Sequence, residues 1–267
     1  MSSLKSIKGV SGRAGSTILK VMALAAALAH CGDGGDTTGR VRVTFPVAVR
    51  GINAESDNSL GWHVSVEQAF VAVGPVRWYE GPPIFGLNVF ERLVGVRLAY
   101  AHPGHYVPGE ALADITAQRV IDLMAPTPTP LDAATGVSGE ALSARVELHP
   151  PGAELGPSAT PLRGLALWTR GTATRMGVTV RFEGGVAVDY AVRGVPARAT
   201  FGPTGSFLLS VDLAQWFDRA DFSTLTPATP GEAAPITMTS EVANGLYRGA
   251  TNGAAYVFAW TTGAPDR

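Results

Sequence analysis

From position 40 onward apolar and polar residues alternate with a period of two, segment after segment, and this alternation limits the possible folds more than any motif in the chain. Val41, Val43 and Phe45 alternate with Arg40, Arg42 and Thr44, and Leu142, Ala144, Val146 and Leu148 with Ser143, Arg145 and Glu147. Val178, Val180 and Phe182 oppose Thr179, Arg181 and Glu183. Val186, Val188, Tyr190 and Val192 oppose Asp189 and Arg193, and Phe207, Leu209, Val211 and Leu213 oppose Ser206, Ser210 and Asp212. Successive side chains of a strand point to opposite faces, so each segment reads as a strand with one dry and one wet face. Such strands pair as antiparallel sheets covered on one side, and two facing sheets bury both dry faces. The expected fold is therefore all-β: an antiparallel two-sheet β-sandwich, immunoglobulin-like or jelly-roll-like, with one or two short helices.

Turn chemistry divides the strands. Glu183-Gly184-Gly185, Gly202-Pro203-Thr204-Gly205, Asn244-Gly245 and Asn252-Gly253 are places where a positive or fixed φ is cheap, and each reads as a turn. In residues 62–79 (WHVSVEQAFVAVGPVRWY) the apolar phase runs through Trp62, Val64 and Val66, then switches to Ala69, Val71 and Val73. A phase change inside one strand calls for a bulge near Gln68 or a corner between sheets. Gly74-Pro75 reads as a break before Val76, since proline cannot donate to a central ladder. A short helix is expected after Leu213 with Asp212 as its N-cap, and residues 110–123 read as beginning helical and ending as a strand. Residues 125–131 and 226–235, rich in Pro and Thr, read as surface loops. No repeat of 20–50 residues recurs, so residues 40–267 are expected to form one domain.

The first forty residues have another character. Residues 1–30 read as a signal peptide: Lys5, Lys8, Arg13 and Lys20 precede or enter the apolar run of residues 21–29 (VMALAAALA), which is too short to span a bilayer as a helix. Cys31 follows in Leu28-Ala29-His30-Cys31, an arrangement resembling the bacterial lipobox, with His30 where Gly or Ala is usual. In that reading Cys31 is lipidated and residues 31–39 (CGDGGDTTG) form a flexible tether. Ala27-Leu28-Ala29 offers the alternative of an A-x-A cleavage site and a soluble product with a free thiol. Gly32 follows the cysteine and Asp33 comes one later, which by resemblance to enterobacterial lipoproteins points to the outer membrane. Removing those four cations from 21 leaves 17 basic against 22 acidic side chains, so the body is mildly acidic and no nucleic-acid partner is implied. A single Cys excludes an internal disulfide framework and a multi-thiol zinc site.

The chain lacks GxSxG, HExxH, Walker and GxGxxG motifs, and the expectation is that it is not an enzyme. One cluster carries chemistry: residues 100–110 (YAHPGHYVPGE), where His102 and His105 flank a Pro-Gly turn and Glu110 adds a carboxylate. Two imidazoles three apart across a turn can reach one cation, and imidazole in an oxidising compartment suits copper or zinc. The same residues also fit an ordinary solvated surface turn. His63 joins that cluster only if the fold brings it near, and His149 reads as a strand-end residue. The five tryptophans are dispersed, which favours core packing over an exposed aromatic platform. Residues 82–100 hold Phe85 and Phe90 in an apolar loop bracketed by Arg77, Arg92 and Arg97, a core segment or a partner-binding patch. The second functional reading is therefore a non-catalytic adhesion or envelope scaffold protein with no small-molecule ligand.

Three segments together, CGDGG at the lipobox-like end, VSVEQAFVAVGPVRWYEG leading to YAHPGHYVPGEAL, and VDLAQWFDRADFSTL, resemble uncharacterised lipoproteins of myxobacterial type. More distantly the layout of residues 40–260 is similar to the copper-associated periplasmic β-sandwich proteins of the methanobactin-associated P type. That resemblance implies a secreted, metal-linked, non-enzymatic sandwich with an envelope partner such as a di-haem protein that modifies a tryptophan. His102 and His105 are the residues onto which a ligand role carries.

Overall fold

The computed structural model describes residues 39–83, 107–227 and 229–262. The readings that rest on Cys31, Phe85, Phe90, His102 and His105 lie outside the described residues. Along the chain come β1 (Arg42–Phe45), β2 (Val47–Ile52), β3 (Glu55–Asp57), β4 (His63–Tyr79), β5 (Ala111–Ile115), β6 (Arg119–Asp122), β7 (Thr129–Pro130), β8 (Ala134–Val137) and β9 (Gly139–Leu148). A 3-10 segment, Ala153–Leu162, leads to β10 (Leu167–Arg175), β11 (Val178–Val186), β12 (Tyr190–Phe201) and β13 (Ser206–Asp212). Helix α1 (Leu213–Phe217), β14 (Ala234–Ile236), helix α2 (Glu241–Ala250), a 3-10 turn (Gly253–Ala255) and β15 (Tyr256–Thr261) complete it.

The protein is all-β with two sheets and a few short helices. The larger sheet runs β1-β8-β5-β4-β10-β11-β14, with β3, β6 and β9 also paired to β4 and β12 paired to β9; the smaller runs β15-β13-β2-β7. Both dry faces meet in one core, where Val47, Val49, Leu209 and Val211 of the smaller sheet join Val64, Val66, Val71 and Val76 of β4. An aromatic box closes one end: Trp78 stacks on Phe207 at 5.2 Å, Phe45 meets Trp78 edge-on at 5.7 Å, and Trp260 meets Phe207 at 4.9 Å. Trp78 is fully buried, and truncating such a side chain removes about 3–5 kcal/mol.

The phase switch in β4 is a bulge. Arg170 of β10 faces Gln68 while the next residue, Gly171, faces Val66, so Glu67 is the extra residue, and both Glu67 and Gln68 are exposed. Gly74-Pro75 behaves differently from the expected break. β4 continues through it and exchanges neighbours there: β10 gives way to β9 on one side, and β6 to β5 on the other. Proline's missing donor is tolerated because the ladder with β9 skips from Val73 to Val76.

Several glycines expected to mark turns serve close approach instead. Gly184 and Gly185 lie within β11, paired with Thr169 and Trp168 of β10, and a Cβ on Gly185 would strike the Leu167 carbonyl. Asn244-Gly245 is inside helix α2, which Ser240 caps by accepting from the Ala243 N–H. Gly249 faces α1 at Gln215 and Trp216, while Gly245 lies against the segment just after it, where a Cβ would sit 2.6 Å from the Arg219 carbonyl oxygen. Asn252 caps the following 3-10 turn through the Ala254 N–H. Asp212 does cap α1, accepting from the Ala214 N–H at 3.0 Å.

Other departures follow from long-range pairing. Residues 110–123 contain two strands and no helix, because both β5 and β6 add to β4. Leu142 is only half-buried while Ser143 is buried, its hydroxyl donating to the Gly81 carbonyl at the base of the loop after β4. Val41 is largely exposed, lying before β1. Two ladders are parallel, β2 with β13 and β11 with β14, so the sheets are mixed rather than purely antiparallel.

The α1–α2 contact yields a direct check. In Gly249→Ala the added methyl meets the carbonyl oxygens of Gln215 and Trp216, backbone atoms that cannot swing aside. Despite Ala's better helix propensity the variant loses about 1–3 kcal/mol. Asn244→Ala, exposed on the same helix, is neutral or slightly stabilising. Urea unfolding of the two side by side measures this; equal stability would remove the close helix contact.

Candidate functional site

The candidate metal loop springs from the junction of β4 and β5, and the described residues show its base. Tyr79 pairs with Ala111. Beyond it the Glu80 N–H donates to the Glu110 carbonyl at 3.1 Å, and the Gly81 N–H to the Pro108 carbonyl at 2.7 Å. Gly81 and Gly109 approach so closely that neither has room for a Cβ, and Gly109 takes φ +75°. Ser143 of β9 locks the arrangement: its buried hydroxyl donates to the Gly81 carbonyl at 2.7 Å. Glycine at 81 and 109 and serine at 143 were legible in sequence only as unremarkable small residues, because their partners lie about 30 to 60 positions away. Glu110 stands exposed at the foot of the loop, and Val107 is 74% exposed. His102 and His105 themselves lie outside the described residues.

The fold settles the position of His63. It begins β4, whereas the loop base follows Tyr79 at the other end of the same 17-residue strand, roughly 50 Å away at about 3.3 Å per residue. His63 therefore does not join Glu110. Its Nδ1 lies 2.8 Å from Asp57 Oδ1 on the neighbouring β3, an exposed pair. Among the described residues no group of three or more His, Cys, Asp or Glu side chains is placed to hold a metal ion.

His149, just past β9, is more constrained than a strand-end residue need be. Nδ1 lies 3.4 Å from Asp189 Oδ1, and Nε2 lies 3.6 Å from Glu147 Oε2. Glu147 is itself paired with Arg145 at 2.6 Å. The imidazole borders an open cleft of about 490 Å³ lined by Pro75, Thr116, Gln118, Arg119 and Glu154 among others. Gln118 is the bracket of that cleft: its amide nitrogen donates to the His149 carbonyl at 2.9 Å and its oxygen accepts from the Gly152 N–H at 3.1 Å. The cleft opens where β4 exchanges neighbours, because adjoining strands must diverge there. The sequence signal for it is Gly74-Pro75.

The tryptophans are core residues or lie under charged caps. Trp62 is 2% exposed, donates to Asp221 Oδ1 at 3.2 Å, and carries the Arg175 guanidinium 4.3 Å above its ring. The Ser223 backbone N–H holds the Asp221 carboxyl below the usual carboxylate range, outweighing the opposing effect of burial, with the Ser223 hydroxyl, Trp62 and Arg175 adding to it. Trp168 lies under Arg163 at 4.8 Å on the outer face of the larger sheet, packed with Phe70 and Leu162. Tyr256, fully buried, donates to the Ala250 carbonyl at 2.6 Å, and burial pushes its hydroxyl pKa far up. Among the described residues no helix is long and apolar enough to cross a membrane.

No family model matches the chain, and no curated protein matches it. Among solved structures the chain is similar to MbnP from Methylosinus trichosporium, at 12% identity and a TM-score of 0.38, over 84% of this chain and 99% of that one. At that level the likeness bears on neither ligand nor partner.

Proposed function

We propose that the protein is a lipid-anchored envelope β-sandwich that binds a transition-metal ion, copper or zinc, on the loop bearing His102 and His105, and that it performs no catalysis. The observation that carries the reading is the clamped loop base. Two backbone hydrogen bonds and the Ser143 hydroxyl fix residues 80–81 against 108–110, so the His-x-x-His segment ends three positions before the clamped Pro108. A binding loop supported in this way loses less entropy on capturing a ligand than a free one. Glu110 at the foot is the nearest described carboxylate to that segment in sequence. Acyl chains on Cys31 would hold the protein at the bilayer through burial of methylenes at about 0.8 kcal/mol each, with residues 32–39 as the tether.

The purified chain should take up about one copper or zinc ion per molecule, with His102→Ala/His105→Ala reducing uptake at least tenfold and Glu110→Gln reducing it less. Metal analysis after dialysis reads the result, and equal uptake by native and double-variant chains would sink the site. Co-purification of an envelope protein lost on Phe85→Ser/Phe90→Ser, without metal uptake, would favour the scaffold reading.

Anchoring has its own measurement. Cys31→Ser moves the protein from the membrane to the soluble fraction and abolishes acyl labelling. Unchanged fractionation would favour cleavage after Ala29.

A further inference from the structure

The β10–β11 hairpin breaks a rule of turn chemistry that folding alone does not require it to break. Arg175 and Val178 face each other in the ladder, so Met176 and Gly177 form a two-residue loop. Both have positive φ, 50° and 79°, the signature of a type I′ turn whose first position favours Asn, Asp or Gly. Methionine is held there at a conformational cost, and it gains nothing from burial, being 98% exposed. Val178 beside it is 60% exposed. A local preference broken without a packing gain is the pattern expected of a functional surface.

The neighbouring β3–β4 hairpin reaches the same end of the molecule, since His63 pairs with Thr174 and the Arg175 guanidinium donates to the Leu60 carbonyl at 3.3 Å. It presents Leu60, 43% exposed. The two hairpins carry opposite charge. Residues 171–182 contain Arg175 and Arg181 and no carboxylate, whereas residues 53–63 contain Glu55 and Asp57 and no Lys or Arg. An apolar crest of Met176, Val178 and Leu60 thus has one positive and one negative flank. Arg175 is held over Trp62 and beside Asp221, so Arg181 on β11 carries the positive flank.

The charge pattern decides what such a crest fits. An anionic bilayer would be repelled by Asp57, which is 82% exposed, and by Asp218 and Asp221, which lie close to Ser59 and Trp62. A surface positive on one side of an apolar centre and negative on the other is complementary to itself after a twofold rotation. We propose that this end of the protein docks a second copy of the same chain. Met176 and Leu60 meet near the axis, and the arginine flank of each copy faces the carboxylate flank of the other. The crest is small beside the roughly 800 Å² per partner of a standard interface, so the dimer is weak, with a dissociation constant on the order of 10–100 µM.

The test is sedimentation equilibrium on the exported chain carrying Cys31→Ser, which removes both an acyl chain and thiol cross-linking, across about 5–500 µM. The expected result is a reversible monomer–dimer equilibrium that weakens with salt. Met176→Asn, a residue the turn prefers, leaves the melting temperature unchanged or raised and weakens dimerisation about tenfold or more. Asp57→Arg and Arg181→Glu each weaken it, and the two together restore it to within about threefold of native, because the flanks exchange sign in both copies. A monomer throughout the range overturns the proposal. So does a Met176→Asn chain that associates as the native one does, or a folded double variant no better than either single.

Discussion

Strand β4 must satisfy its backbone hydrogen bonds over 17 residues, and the rest of the molecule is arranged around how it does so. No single neighbour accompanies it for its whole length. β10 and β3 serve the first part, β6 the middle, and β9 and β5 the last. Each handover needs a place where one ladder stops and another starts, and a proline that cannot donate is least harmful at such a place. The bulge at Glu67 and the handover at Pro75 are therefore two answers to one problem, that of keeping a long strand's dry face toward a twisted core. The bulge resets which side chains face in. The handover resets which strands lie alongside, and leaves the crevice between them open.

The same strand separates the chemistry. Its last residue leads into the clamped base of the candidate metal loop, and its first lies beside the Met176 hairpin, roughly 50 Å off. Among the described residues the two ends share no groups: His63 at the first end pairs with Asp57, and Glu110 stands at the last. Trp78, in the aromatic box with Phe45, Phe207 and Trp260, lies two residues before Glu80 of the loop base.

What could be read from sequence was whatever depends on near neighbours. Alternation in β1 and β13 and the phase switch in β4 show directly which face is dry, and Asp212 announces α1 by its position before Leu213. Glycine misled in both directions because it has two uses. At 202–205 it makes the expected turn, while at 184, 185, 245 and 249 it lets another backbone come close, and only the partner, about 15 to 50 residues away, distinguishes the two. Residues 110–123 misled because Leu112 and Ile115 are spaced as on a helix, whereas a bulge at Leu112, between Ala113 opposite Trp78 and Ala111 opposite Tyr79, leaves both buried within β5. The parallel ladder of β2 with β13 joins segments some 160 residues apart, a relation no local pattern carries. For the candidate site the ligand residues were legible and their support was not: Gly81, Gly109 and Ser143 acquire meaning only when brought together.

A sheet of this width has edges, and the way they are treated sharpens the contrast with the hairpin tip. β12, paired only with β9 among the described strands, interrupts its outer edge with two bulges and Pro196 and points Arg193 and Arg198 into solvent. β14 is three residues long and contains Pro235. Those are devices against unwanted pairing. The turn of the β10–β11 hairpin is treated otherwise: its first loop residue is a methionine in a backbone conformation that favours Asn or Gly, with Val178 exposed close by. Asn at 176 would satisfy that backbone better, so neither turn chemistry nor burial accounts for the exposed methionine, and the proposed docking of a second copy gives its side chain a contact.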